Sequence, residues 1–248
     1  MNASHRPIVV EAVLRTPISV TDPIHLDGVL LAAREKRHGP GSRGRPLDCV
    51  AWDDGFHRCS ASFLVSDELG GVATVATTRV ARLDLKSRDG ELFVPPDGSE
   101  KISRKSREDV IGPMSAFRGV TRDFEVATGV RSLVWQVLGD PEGMLDLLSE
   151  IRCVGRMYTT GWGQVDEWLA HDCAADQAFC GAAVAGRPMR NLPAASAARF
   201  GIDADLTYPG RIEPPYGSRF DLVPIVAPTR IDLTGTTQAA RRTFAFDA

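Results

Sequence analysis

The residues best suited to a chemical role share one loop, Gly155-Arg156-Met157-Tyr158-Thr159-Thr160-Gly161-Trp162-Gly163. Glycines at 155, 161 and 163 free the backbone for positive φ and for close approach by another chain. Successive exposed N–H groups can form a concavity that holds phosphate oxygens without reading bases. Arg156 adds charge, and Tyr158 and Trp162 can stack on bases or pack beneath the loop. The candidate contacts are therefore Gly155, Arg156, Tyr158, Thr159, Thr160, Gly161, Trp162 and Gly163. The same spacing also fits a tight helix-to-strand connection that is glycine-rich for its own sake.

Two familiar phosphate loops do not fit. A Walker loop needs four residues between its glycines, then Lys and Ser or Thr; here five residues intervene and Trp162 follows. A dinucleotide fingerprint opens a helix, and no third glycine follows Gly163 at the required spacing. A nucleotide cofactor is not expected, nor any other.

A second candidate is the basic run Lys101, Arg104, Lys105 and Arg107, with Arg118 and Arg122 downstream. These side chains suit salt-dependent contacts to phosphate. Glu100, Glu108 and Asp109 offset them, so a solvated loop fits equally well. His25, before Asp27 at the start of a helical pattern, can act as a general acid or base only with a partner and reach to substrate. Without one it reads as a histidine that packs or caps the helix start. His38 and His57 fall in apparent loops or turns. Asp53-Asp54 and Asp203/Asp205 read as turn chemistry, since neither shows the spaced ligands of a calcium loop. Cys49, Cys59, Cys153, Cys173 and Cys180 contain no CxxC pair, so no metal site is expected and they read as reduced thiols.

The elements that would position these residues follow from periodicity. Residues 8 to 15 are β-branched and predict a strand; Leu26, Val29, Leu30 and Ala33 predict a helix ended by His38-Gly39-Pro40-Gly41. A strand pair is expected across Cys49 to Val65, turning at Asp53-Asp54-Gly55, and another apolar, threonine-rich stretch runs from Val72 to Leu85. A polar insertion follows, and residues 131 to 138 predict a buried strand. Asp140-Pro141-Glu142 signals a helix start, with Met144, Leu145, Leu148 and Ile151 as its apolar face and Arg152 in its last turn. The glycine loop comes next, then a strand from Gln164 to Leu169. The resulting order predicts an α+β, ferredoxin-like βαββαβ domain over residues 7–170 with an inserted basic finger at about 86–125. Residues 171–248 form a C-terminal elaboration of unassigned fold, with Val223 to Val226 a short strand and Ala194 to Phe200 a short helix against either a partner or the domain itself.

Composition narrows the partners. Among 248 residues, 29 basic and 32 acidic side chains leave a formal charge of −3, so nucleic-acid affinity must come from local clusters. The 43% hydrophobic content is enough for an ordinary core, and no apolar run suggests a membrane span or an export signal. A cytoplasmic protein is expected.

Val154, Gly155, Gly161, Trp162 and Gly163 match a hydrophobic residue, Gly, five residues, then Gly-aromatic-Gly before a final strand. This pattern resembles the signature loop of the RAMP superfamily of CRISPR-associated proteins. With Ile8 to Leu14, His25 to Leu30 and the basic insertion, the chain looks most like the type IV Cas-five family, and Gly186-Arg187-Pro188 and Pro214-Pro215-Tyr216 extend the similarity. The resemblance implies a non-catalytic subunit that binds the 5′ handle of the guide RNA and caps the filament of backbone (Cas-seven-like) subunits. It implies contact with the large subunit near target DNA, and in some systems an accessory helicase. The basic insertion resembles the thumb of that family. Related endoribonucleases of the superfamily often hold a histidine where His25 stands, so the alternative is metal-independent cleavage by His25 or Tyr158 that leaves a 2′,3′-cyclic phosphate. A small-molecule enzyme on an α+β scaffold lacks any convergent catalytic set.

Overall fold

The structure, a computed structural model, describes residues 5–19, 23–39, 42, 46–53, 55–66, 129–155, 161–214, 216 and 221–228, and the backbone alone of 72–82, 117–127 and 232–234. In chain order the elements begin with β1 (Arg6–Leu14), α1 (Leu26–His38), β2 (Trp52–Asp53), β3 (Phe56–His57) and β4 (Phe63–Ser66). Next come β5 (Val72–Arg82), β6 (Phe117–Ala127), β7 (Val130–Gly139), α2 (Pro141–Leu148) and β8 (Val165–Asp172). The C-terminal part adds β9 (Ala183–Val184), β10 (Arg187–Pro188), β11 (Leu192–Pro193), α3 (Ala194–Ala197), β12 (Tyr208–Gly210), β13 (Val223–Val226) and β14 (Asp232–Thr234). Among the described residues the fold mixes helices and strands, with mainly antiparallel sheets and few helices.

Among the described residues the main sheet has five strands in the order β14-β4-β7-β1-β8. β1 is antiparallel to both β7 and β8, β4 is antiparallel to β7, and β14 joins the β4 edge in parallel. β1 occupies a central position because Ile8-Val9-Val10 can be buried on both faces, and such strands read as continuous apolar runs. Its even-numbered residues Ile8, Val10 and Ala12 stand opposite Val137, Trp135 and Leu133 of β7. On these pack Leu26 and Leu30 of α1 and Met144 and Leu148 of α2, all fully buried.

Both helices start and stop as their residues dictate. The Asp140 side chain accepts from the N–H groups of Glu142 at 3.2 Å and Gly143 at 3.3 Å, with Pro141 in the first turn. α2 closes at Leu148, so Arg152 lies beyond it rather than in its last turn. α1 ends on Gly39 at φ 85°, whose N–H donates to the Glu35 carbonyl at 2.7 Å. Arg37 of α1 bridges to Asp146 and Glu150, tying the two helices together.

The opposite sheet face carries Val9, Phe63, Val65 and Val134, and the C-terminal part covers it through Met189, with Cys173 and Val184 packed alongside. A sheet of this kind used in the RRM manner presents that face to RNA; here it is inside the protein. A second apolar centre joins Phe56 to Ala182, Leu192, Ala197, Phe200 and Val226, so α3 packs within the chain itself. β9 and β10 form a hairpin, and β11-β13-β12 a three-stranded sheet, which gives part of the previously unassigned tail a fold.

β5 and β6 pair in a separate two-stranded sheet, most of which belongs to a compact unit spanning Thr74–Glu125. Most of the expected inserted finger, with Lys101, Arg104, Lys105 and Arg107, falls outside the described residues; Arg118 and Arg122 sit on β6. Among the described residues, no helix is long and apolar enough to cross a membrane.

Candidate functional site

The glycine loop connects α2 to β8; its two ends bond to each other, and its C-terminal end is anchored to the segment that follows β1. Val154 N–H donates to the Gly163 carbonyl, and Gly163 N–H to the Pro17 carbonyl, each at 2.8 Å. The Thr16 hydroxyl donates to the Gly161 carbonyl at 2.9 Å and accepts from Gln164 N–H at 2.9 Å. Gly155, Gly161 and Gly163 all have positive φ, at 84°, 87° and 65°. Two of them have a second reason to lack a side chain. A Cβ on Gly163 would overlap the Val154 carbonyl oxygen, and one on Gly155 would lie 2.9 Å from the Ser19 carbonyl. Their close backbone approach is thus to this chain itself. Gly161 differs, because among the described residues only Gln164 lies near its missing Cβ, at 3.6 Å. Trp162 is half-buried, while Arg156, Tyr158, Thr159 and Thr160 lie outside the described residues.

Beside the first glycine opens a cleft of about 320 Å³, bordered by His25, Gly28 and Val29 at the start of α1, by Ile151 and Gly155, and by Tyr216. Its two walls hang on tryptophans from the sheet. Trp135 Nε1 donates to the Ile24 carbonyl at 2.7 Å, and Trp168 Nε1 to the Ile151 carbonyl at 3.0 Å. The two indoles stack at 5.8 Å between centroids, so sheet and cleft are mechanically joined.

His25 stands at the N-cap position of α1 but makes no side-chain cap. Its ring stacks on Tyr216 at 4.0 Å, and Nε2 accepts from Asn191 N–H at 3.3 Å. Burial lowers its pKa to about 4, against the pull of nearby Asp27, so the ring is neutral at pH 7. The ring is not an imidazolium there and so is a poor general acid, and Nε2 is already engaged by Asn191 N–H. Sequence reasoning placed His57 in a turn; the structure puts it in β3, 4% exposed, with Nε2 accepting from Leu47 N–H at 3.0 Å. The neutral ring then carries its proton on Nδ1, 3.9 Å from Asp27. Burial lowers this pKa also to about 4.

Behind the cleft lies a buried polar cluster that no sequence signal marked. Arg190 is completely buried. Its guanidinium donates to Asp27 at 3.2 Å, to the carbonyls of Asn191, Cys59, Ile212 and His57, and to the Tyr216 hydroxyl at 2.9 Å. Tyr216 in turn donates to the Asp27 carboxylate at 2.6 Å. Burial pushes the Tyr216 phenol and the Cys59 thiol well above their ordinary ranges, so both stay protonated. These are residue types found in active sites, yet their donors and acceptors are spent on one another and on backbone carbonyls.

The other singled-out residues are structural where described. Asp53 accepts from Arg58 at 3.0 Å and Arg199 at 2.9 Å, linking the β2–β3 turn to the C-terminal part. Asp205 N–H donates to the Asp203 side chain at 3.1 Å, a local turn bond. His38 is the last residue of α1. All five cysteines are free thiols, and burial pushes Cys49 and Cys180 up to about 12, which leaves them unreactive. The described residues contain no group of His, Cys, Asp and Glu that could hold a metal ion.

No protein-family model and no curated protein matches this chain.

Proposed function

We propose that the chain is an RNA-binding protein on a ferredoxin-like, RAMP-type platform. The observation that carries the reading is the strand order β4-β7-β1-β8, all antiparallel, in which α1 follows the first strand and α2 the third. Taken in chain order, these are the second, third, first and fourth strands of a βαββαβ unit, and the glycine loop leads from α2 into the last of them. The closed sheet face favours the loop side of the domain as the surface for RNA.

Within that class, the reading is the type IV Cas-five subunit, non-catalytic and cytoplasmic. It holds the 5′ handle of the guide RNA and caps the backbone subunits. It contacts the large subunit, with target DNA and an accessory helicase acting in the same complex. The low proton affinity of His25 supports binding over cleavage. No cofactor is required.

The test is to follow fluorescence anisotropy of a labelled repeat RNA with the purified full chain over a salt series. Retention that weakens with salt and leaves the RNA intact is expected. Arg156→Ala weakens it and flattens the salt dependence by about one phosphate contact. Cleavage that His25→Ala abolishes would establish the endoribonuclease instead, and absence of retention at every salt concentration would reject RNA binding.

A further inference from the structure

We propose that the outer edge of β8 pairs with β8 of a second copy of this chain, antiparallel and two-fold symmetric, with Leu169 at the axis. The inference goes beyond the RNA-binding reading and does not depend on it.

Among the described residues β8 ends the strand order β14-β4-β7-β1-β8, and β1 covers one of its two sides. At the start of the strand the other side is taken by the segment that follows α2. Val165 N–H donates to the Arg152 carbonyl and Val154 N–H to the Gly163 carbonyl, each at 2.8 Å. From 166 to 172 no described backbone group bonds on that side. The midpoint of this free stretch is Leu169. Asp166, Glu167 and Asp172 are exposed, so both its ends are open to solvent.

Register decides which groups point outward. Cys173 N–H donates to the Pro7 carbonyl, and the pairs Val9–His171 and Glu11–Leu169 continue the alternation, so the odd-numbered residues bond to β1. The amide and carbonyl groups of Trp168, Ala170 and Asp172 therefore point away from the sheet, and an added strand bonds to these.

Charge selects the occupant. A carboxylate on an edge strand ordinarily discourages pairing, and Glu167 is such a residue. When Leu169 meets Leu169 of the second copy, Trp168 bonds to Ala170 and Glu167 stands opposite His171, twice by symmetry. Sliding the copy by two residues puts Glu167 opposite Leu169 or Cys173 instead, so one register gives the carboxylate a hydrogen-bonding partner. Its side chain is close enough, because residues in a non-hydrogen-bonded pair approach most nearly. His171 already meets Glu11 through Nε2 at 3.1 Å and can present its other ring nitrogen to Glu167 of the copy. The remaining pair, Asp166 with Asp172, is like-charged, but each carboxylate holds an arginine of its own chain, Arg15 at 3.7 Å and Arg6 at 3.1 Å.

The test is sedimentation velocity of the full-length chain from about 1 to about 200 µM, which covers association of moderate strength. A dimer that grows with concentration is expected. Glu167→Lys, at an exposed position, sets a cation against His171 in both symmetry-related pairs and weakens association about tenfold. Leu169→Cys, oxidised by glutathione disulfide, gives a covalent dimer, because opposed residues at the axis lie within disulfide range. Glu167→Cys, away from the axis, gives none. A chain that stays monomeric throughout the series overturns the proposal. So does a dimer that Glu167→Lys leaves unchanged and Leu169→Cys does not cross-link, since its interface lies elsewhere.

Discussion

Two neighbouring regions of this molecule contrast sharply: the buried cluster of Asp27, Arg190, Tyr216, His57 and Cys59, and the nearly apolar cleft and glycine loop beside it. By residue type the first looks reactive and the second inert. Geometry reverses that impression. Arg190 is wholly enclosed and donates to four backbone carbonyls as well as to Asp27 and Tyr216, so the cluster joins α1, β3 and the C-terminal part, with His57 Nδ1 buried 3.9 Å from Asp27. The cleft is bordered mainly by apolar residues, with His25 and Tyr216 stacked at its edge. Side chains whose hydrogen bonds are filled internally hold the fold together, whereas the cleft is bordered by groups that make few such bonds.

The largest test of this contrast removes the cation from the cluster. Arg190→Met leaves Asp27 buried without its partner and is expected to cost about 3–5 kcal/mol in urea unfolding. Adding Asp27→Leu should recover much of that loss, because the uncompensated carboxylate is gone. A loss below about 1 kcal/mol for the single change would mean that the pair is hydrated and the contrast is misdrawn.

A smaller effect separates the histidines from solvent-exposed ones. Both His25 and His57 have folded pKa values near 4 against an ordinary 6.5, so between these values the unfolded chain binds more protons than the folded one. Stability is complete above about pH 6.5 and falls as pH drops towards 4, by up to roughly 3 kcal/mol for each ring. His25→Phe keeps the stack on Tyr216 and should flatten the curve by one ring's share. A pH profile identical in that variant would contradict the burial of His25.

The smallest effect concerns the loop. Gly161→Ala introduces a side chain at φ 87° without overlap with any described backbone and is expected to cost about 1–2 kcal/mol in thermal unfolding. Gly163→Ala adds overlap with Val154 and should cost more, so only the first variant reports on the loop without disturbing its anchor. Equal losses would show that the two glycines serve one purpose.

Much of the scaffold was legible because its signals are local. Ile8-Val9-Val10, the Asp140-Pro141 cap and the Gly39 stop each act within a few residues, and each lies where its chemistry puts it. The glycine loop was also visible, but its purpose was not. Spacing alone left open whether Gly155 and Gly163 admit a ligand or their own chain, and the answer required Ser19 and Val154 to be placed beside them. His57 was misread because Asp53 to Gly55 mark a turn, while nothing nearby in sequence tells that the following strand enters the core.

The sequence by itself determined the principal strands and helices and the position of the loop between α2 and β8, because periodicity, caps and breakers act over short range. Only the tertiary structure decided that the C-terminal part closes one sheet face through Met189, and that Arg190 meets Asp27 across 163 positions of chain. It also decided that Gly28, His25 and Gly155 border a common cleft. Such pairings depend on long-range burial, where one residue's environment is made by partners that its own neighbours do not specify.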